Sequence, residues 1–320
     1  MEQTAPENQN VRPSMSETAV LLIKQLRPKQ WVKNAIVYMP LLFVGKFDDP
    51  NLFISATGAT IAFCLVSSSI YVLNDIVDMK ADRIHPTKCK RPLASGRLDV
   101  RLAAVAGSFC LIAGLVIAFC VRPMVVLAAL SYMTINILYS FKLKNTPIID
   151  IFCVASGFVI RAVAGALAVK ATASAWFLLC TSLGALWLAA EKRRQELKLA
   201  DSGSGSHRKV LADYSVSIVT RMENIIAPSL LTSYAMYSFN SPHGHWMMIT
   251  VPIVLYGMMR YQMLSEQGTS TGAPEDVFWK DRPIQLTIAL WLLACAFVIY
   301  GSPTQQMAYY GRLIDSLKFW

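Results

Sequence analysis

Charge is scarce in this chain. Asp, Glu, Lys and Arg make up 16% of its 320 residues, against the quarter or so expected of a soluble domain, while 54% are apolar. That balance excludes a disordered or nucleic-acid-tail protein. Histidine is scarcer still, at four residues, and the seven cysteines form no C-x-x-C pair. Six of the seven, all but Cys89, lie in apolar runs, so they read as small hydrophobes and give neither a disulfide frame nor a metal site. The first 20 residues lack the basic start and apolar core of a signal peptide; with Glu2, Glu7 and Glu17 among Asn, Gln, Pro and Ser, residues 1–20 read as a disordered tail.

What the chain has is long apolar runs. Nine segments approach the roughly 20 residues that a bilayer demands: 31–47, 51–73, 102–121, 123–141, 147–169, 174–190, 218–240, 245–263 and 284–302. The expectation is an all-α, polytopic membrane bundle of about nine transmembrane helices. It forms one domain over 21–320, with long polar loops at 74–101, 191–217 and 264–283. The 30 basic residues exceed the 20 acidic ones by ten, and 24 of the 30 fall on the side of those loops. By the positive-inside rule that side is cytoplasmic. Seventeen of the 20 acidic residues sit there too, and a mixed cluster suits a metal-bridged phosphate site better than a surface for anionic lipid.

Asp75, Asp78 and Asp82 close the second segment at spacings i, i+3 and i+7, which on a helix places three carboxylates on one face. Like charges that close call for a cation, and Mg²⁺ prefers carboxylates together with phosphate oxygens. Lys88, Lys90 and Arg91 follow directly. Alone they would read as positive-inside anchors; beside the aspartates they become candidates to close over a diphosphate. Asp150 and Arg161 lie eleven residues apart in the fifth segment, on one helix face but about 16 Å apart along the axis, too far for a direct pair. An Arg inside a membrane is costly, so Arg161 carries a functional or inter-helix role. Lys192 and Glu196 stand at i, i+4, equally readable as a surface salt bridge or as part of a site. Lys29 and Lys33 flank Trp31 on an interfacial arm, for anchoring or for gripping a lipid phosphate, and Ser202 to Ser206 reads as a linker.

Asn-Asp-x-x-Asp-x-x-x-Asp at 74–82, within nine segments, resembles the UbiA superfamily of intramembrane prenyltransferases. In most of that family a second aspartate-rich motif follows the sixth span; here the place holds Glu191 to Glu196, rich in Lys and Arg. In this the chain is similar to one branch, the decaprenyl-phosphate phosphoribosyltransferases. The matching stretches are 27–34, 85–96, 139–144, 192–197, 260–261 and 274–285; Glu191 departs from the small residue expected in that branch.

The resemblance implies a Mg²⁺-dependent enzyme that moves phosphoribose from 5-phosphoribosyl 1-diphosphate (PRPP) to a polyprenyl phosphate and so supplies a cell-envelope precursor. It also implies a bacterial-type plasma membrane, a site facing the cytoplasm and membrane lipid as environment, with no nucleic-acid partner and a homo-oligomer left open. Asp75, Asp78 and Asp82 would be catalytic metal ligands. Lys29, Lys33, Asn34, Asn74, Lys88, Arg91, Tyr139, Lys142, Asp150, Arg161, Lys192, Arg193 and Glu196 would bind substrate. The runner-up is a UbiA-type enzyme using a prenyl diphosphate with an aromatic or lipid acceptor; a lipid-phosphate carrier would have little use for three aspartates.

Overall fold

The computed structural model describes residues 14–84, 88–201, 209–241, 245–267, 277 and 280–301, and within these every regular element is a helix and none is a strand. His85, the 202–206 stretch and 274–276 fall outside the described residues. Eleven α-helices follow in order: α1 (Met15–Gln25), α2 (Met39–Phe43), α3 (Pro50–Val77), α4 (Met79–Ile84), α5 (Val100–Val121), α6 (Pro123–Phe141), α7 (Ile149–Ala168), α8 (Ala175–Asp201), α9 (Val216–Phe239), α10 (Val251–Glu266) and α11 (Arg282–Gly301).

Local chemistry sets these boundaries. Asp49 caps α3 by accepting from the Asn51 and Leu52 amides, with Pro50 at the first helical position, and Asp99 caps α5 through Arg101 and Leu102. Ser14 caps α1 through the Glu17 amide, so the stretch read as tail is helical from Met15 onward. Its Leu21 packs with Val72, Leu93, Leu98 and Ala103.

Among the described residues, five helices are long and apolar enough to cross a membrane: α3, α5, α6, α7 and α11. This differs from the nine expected segments for physical reasons. Residues 31–47 are no single α-helix; Pro28–Tyr38 is 3-10 and α2 restarts at Met39 with Pro40, which has no N–H to give to a continuing helix. The apolar part of α8 ends at Glu191, α9 carries Arg221 and Glu223 in its second turn and Pro228 in its middle, and α10 has 16 residues.

Small residues let the bundle close. A Cβ on Gly114 would meet the Ala62 carbonyl oxygen at 3.0 Å, and one on Gly107 would meet Val72 at 3.1 Å, so α3 and α5 pack at backbone distance. The tightest approach is Gly165 on α7, where a Cβ would stand 2.1 Å from the Val37 carbonyl oxygen. That contact seats the 3-10 segment against α7. The core between them holds Phe63 and Tyr132, ring centroids 5.7 Å apart, among Ala59, Ala62, Ala128 and Ala164.

Candidate active site

The first carboxylates lie where α3 ends. The helix stops at Val77, Asp78 takes the cap position with φ −87° and ψ 2°, and α4 resumes at Met79. This break turns Asp78 away from Asp75 and Asp82, with which a continuous helix would align it. Asp75 and Asp82 are both buried, and one guanidinium nitrogen, Arg91 Nη1, donates to Asp75 Oδ1 at 2.9 Å and to Asp82 Oδ2 at 2.6 Å. Arg27 Nη2 adds a contact of 2.5 Å to Asp75 Oδ1, and Gln25 Nε2 donates to Asp75 Oδ2 at 2.7 Å. Asp78 turns aside and accepts from Lys144 Nζ at 2.7 Å.

Among the described residues no three His, Cys, Asp or Glu side chains gather around one point. The donor set nonetheless fits a hard divalent cation: two buried carboxylates reach the same nitrogen, and the Gln25 Oε1 beside them is buried without a hydrogen-bond partner.

A second cluster lies across the end of α6. Arg193 is buried; its Nε donates to Asp150 Oδ2 at 2.6 Å, its Nη1 pairs with Glu196, and its Nη2 donates to the Tyr139 hydroxyl at 3.2 Å. These contacts hold the guanidinium in its charged form, with a pKa raised above its ordinary value despite burial. Tyr214 donates to Asp150 Oδ1 at 2.8 Å, and burial pushes its hydroxyl up to about 12. Consecutive residues of α6 join the two clusters: Tyr139 meets Arg193 while Ser140 donates to the Asn74 side chain. Glu196 pairs with Arg193, at i, i+3.

Other expected residues stand apart. Asn34 and Arg161 lie in a buried network of their own, in which Arg161 Nε donates to Asn34 Oδ1 at 2.6 Å and Nη2 to the Tyr132 hydroxyl at 2.7 Å, with the guanidinium 4.5 Å from the Tyr132 ring centre. Arg161 is thus an inter-helix tie, and it makes no pair with Asp150. Lys142 and Lys29 are exposed, and Lys88 is half-buried in a 3-10 turn. Lys33 and Lys192 line a largely apolar cavity of about 350 Å³ between the 3-10 segment, α7 and α8, with Val154, Phe158, Gly184 and Leu188.

Glu191 is fully buried, and both its oxygens accept from one nitrogen, Arg194 Nη2, at 2.7 and 2.9 Å; Ser265 donates to it at 2.6 Å, and Arg194 also pairs with Glu223 and Glu266. Neither Arg194 nor Tyr214 stood out in the sequence. Gln25 and Arg27 were missed as site residues as well, though Arg27 opens a matched stretch.

Residues 35–280 match the UbiA prenyltransferase family. The protein belongs to that family. Among curated relatives, the decaprenyl-phosphate phosphoribosyltransferase of Mycolicibacterium smegmatis is 33% identical over 88% of this chain and 93% of its own length. That of Corynebacterium glutamicum is 33% identical over 94% and 93%. A UbiA homolog from Archaeoglobus fulgidus, solved bound to DMAPP and Mg²⁺, superposes with a TM-score of 0.66 at 18% identity, covering 87% of this chain and 99% of that one. The UbiA-type membrane helical bundle is therefore the fold, and the protein is an enzyme of a transferase family.

Proposed function

We propose that this enzyme transfers 5-phosphoribose from PRPP to a polyprenyl phosphate with release of diphosphate, at a site on the cytoplasmic side of a bacterial-type plasma membrane, as a step toward cell-envelope glycan. The observation that carries this reading is the place of the family's second aspartate-rich motif. It holds Glu191 and Arg194 buried against each other, with Arg193 on Asp150. Among the described residues, the carboxylates brought together for a metal-bound diphosphate are then Asp75 and Asp82, which suits one soluble diphosphate donor. The two curated relatives described above bear the name decaprenyl-phosphate phosphoribosyltransferase.

Bound at Asp75 and Asp82, Mg²⁺ would neutralise diphosphate charge as the bond to ribose C1 breaks. Arg91 and Arg27 can turn from the carboxylates to phosphate oxygens in bidentate fashion, and Lys88 adds a further positive charge. Lys33 and Lys192 hold the acceptor phosphate at the mouth of the apolar cavity, whose lining takes the first part of the tail. Lys29 stands on the same arm. A phosphate acceptor is already anionic at neutral pH, so no general base is needed, and in-line attack predicts inversion at C1.

The test is purified protein supplied with PRPP, Mg²⁺ and polyprenyl phosphate. Diphosphate release with a phosphoribosyl lipid is the expected result. Product from a prenyl diphosphate and an aromatic acid, with none from PRPP, would overturn it.

A further inference from the structure

Gln25, the last residue of α1, is 1% exposed, and its two amide atoms have opposite fates. Nε2 donates to Asp75 Oδ2 at 2.7 Å, whereas Oε1 is buried with no hydrogen-bond partner. A buried acceptor left unmet is destabilising, and native structures retain one where a ligand, ion or water completes it. The corner that places this amide is itself strained. Arg27 sits at φ 55°, a left-handed conformation costly for a side chain with a Cβ, and is held there by Ser68 donating to the Leu26 carbonyl at 2.8 Å and Trp31 donating to Ser68 at 3.0 Å. The two oxygens of Asp75 are also divided by the charge of their donors. Both guanidinium contacts, from Arg27 and Arg91, fall on Oδ1, and the neutral amide holds Oδ2.

We propose that Gln25 is a positioning residue for the divalent cation at Asp75 and Asp82. Its Nε2 fixes Oδ2 so that Oδ1 is the oxygen that exchanges arginine for metal, and its Oε1 accepts a hydrogen bond from a cation-bound water. This rests on Asp75 and Asp82 holding the cation, and not on the identity of the sugar donor. Outer-sphere partners of this kind carry 10- to 100-fold in metal affinity.

The test is Mn²⁺ titration of the full chain in detergent, followed by electron paramagnetic resonance without PRPP or lipid, on the wild type, Gln25→Met and Gln25→Glu. Gln25→Met is expected to raise the Mn²⁺ Kd about 10- to 100-fold, with its unfolding temperature showing that it folds. Gln25→Glu keeps an acceptor oxygen for the cation-bound water but loses the amide donor to Asp75 Oδ2, and is expected to lose less affinity than Gln25→Met. If Gln25→Met aggregates, Gln25→Asn replaces it, since its amide is one methylene too short to reach. Wild-type affinity in the methionine variant, equal weakening in both variants, or no Mn²⁺ binding by the wild type would each overturn the assignment. Mn²⁺ binding without any phosphoribosyl product would instead remove the substrate reading and leave Gln25 in place.

Discussion

Asp75 and Asp82, seven residues apart, share one hydrogen-bond donor, Arg91 Nη1, at 2.9 and 2.6 Å. The break of α3 at Asp78 makes this convergence possible, because it lets α4 fold Asp82 back toward Asp75 while Asp78 faces Lys144. Asp75→Asn and Asp82→Asn are therefore expected to lower turnover by at least about a hundredfold, the scale on which a group stabilising developing charge acts. Asp78→Asn should cost less. Turnover beside gel-filtration profiles checks this; equal losses at all three positions would argue for a single three-carboxylate site.

Arg161→Ala is expected to destabilise the bundle by about 2–4 kcal/mol, since it leaves the buried Asn34 side chain and Tyr132 hydroxyl without their partner. Arg161→Lys should rescue little, because a point charge on a flexible stem cannot reproduce a planar fork on several acceptors. Thermal unfolding in detergent measures both.

Glu191→Ala should be among the most damaging substitutions outside the site, at about 3 kcal/mol, because it removes a fully buried carboxylate from Arg194 and Ser265 and leaves Glu223 and Glu266 as the arginine's remaining ion-pair partners. Glu191→Gln keeps shape and one acceptor and is expected to cost less. Unfolding midpoints in urea give the comparison.

Arg260 Nη2 donates to Asp281 Oδ2 at 2.8 Å, joining two of the stretches matched in the sequence, and this hydrogen bond holds the Asp281 carboxyl below its ordinary value of 3.8. A carboxyl depressed in the folded state stabilises the protein above its unfolded pKa, and that contribution is lost as pH falls through the folded one. The stability gap between wild type and Asp281→Asn is therefore expected to be constant from about pH 5 to 7 and to shrink below about pH 4. Unfolding midpoints between pH 3 and 7 test the sign.

Much of the fold was legible because apolar runs and basic loops follow from bilayer physics, and the first carboxylates because their spacing is local. The break at Asp78 was not, since helical spacing assumes an unbroken helix. Nor was the 3-10 path of residues 28–38, which depends on a tertiary contact, Gly165 against Val37, that no local pattern encodes. Glu191 could be seen to depart from its relatives, but its partners Glu223, Ser265 and Glu266 come from other helices. Gln25 carries no sequence signal; its place on Asp75 exists only once α1 has packed onto α3 and α5.

The arginines on Asp75 also bear on how the protein is made. With Arg27 and Arg91 set against Asp75 and Asp82, two positive charges balance two negative ones before any ligand arrives. On the proposed function, the nascent chain is therefore expected to insert and pack without divalent ions. Starvation for those ions should silence the enzyme while leaving its abundance in the membrane intact.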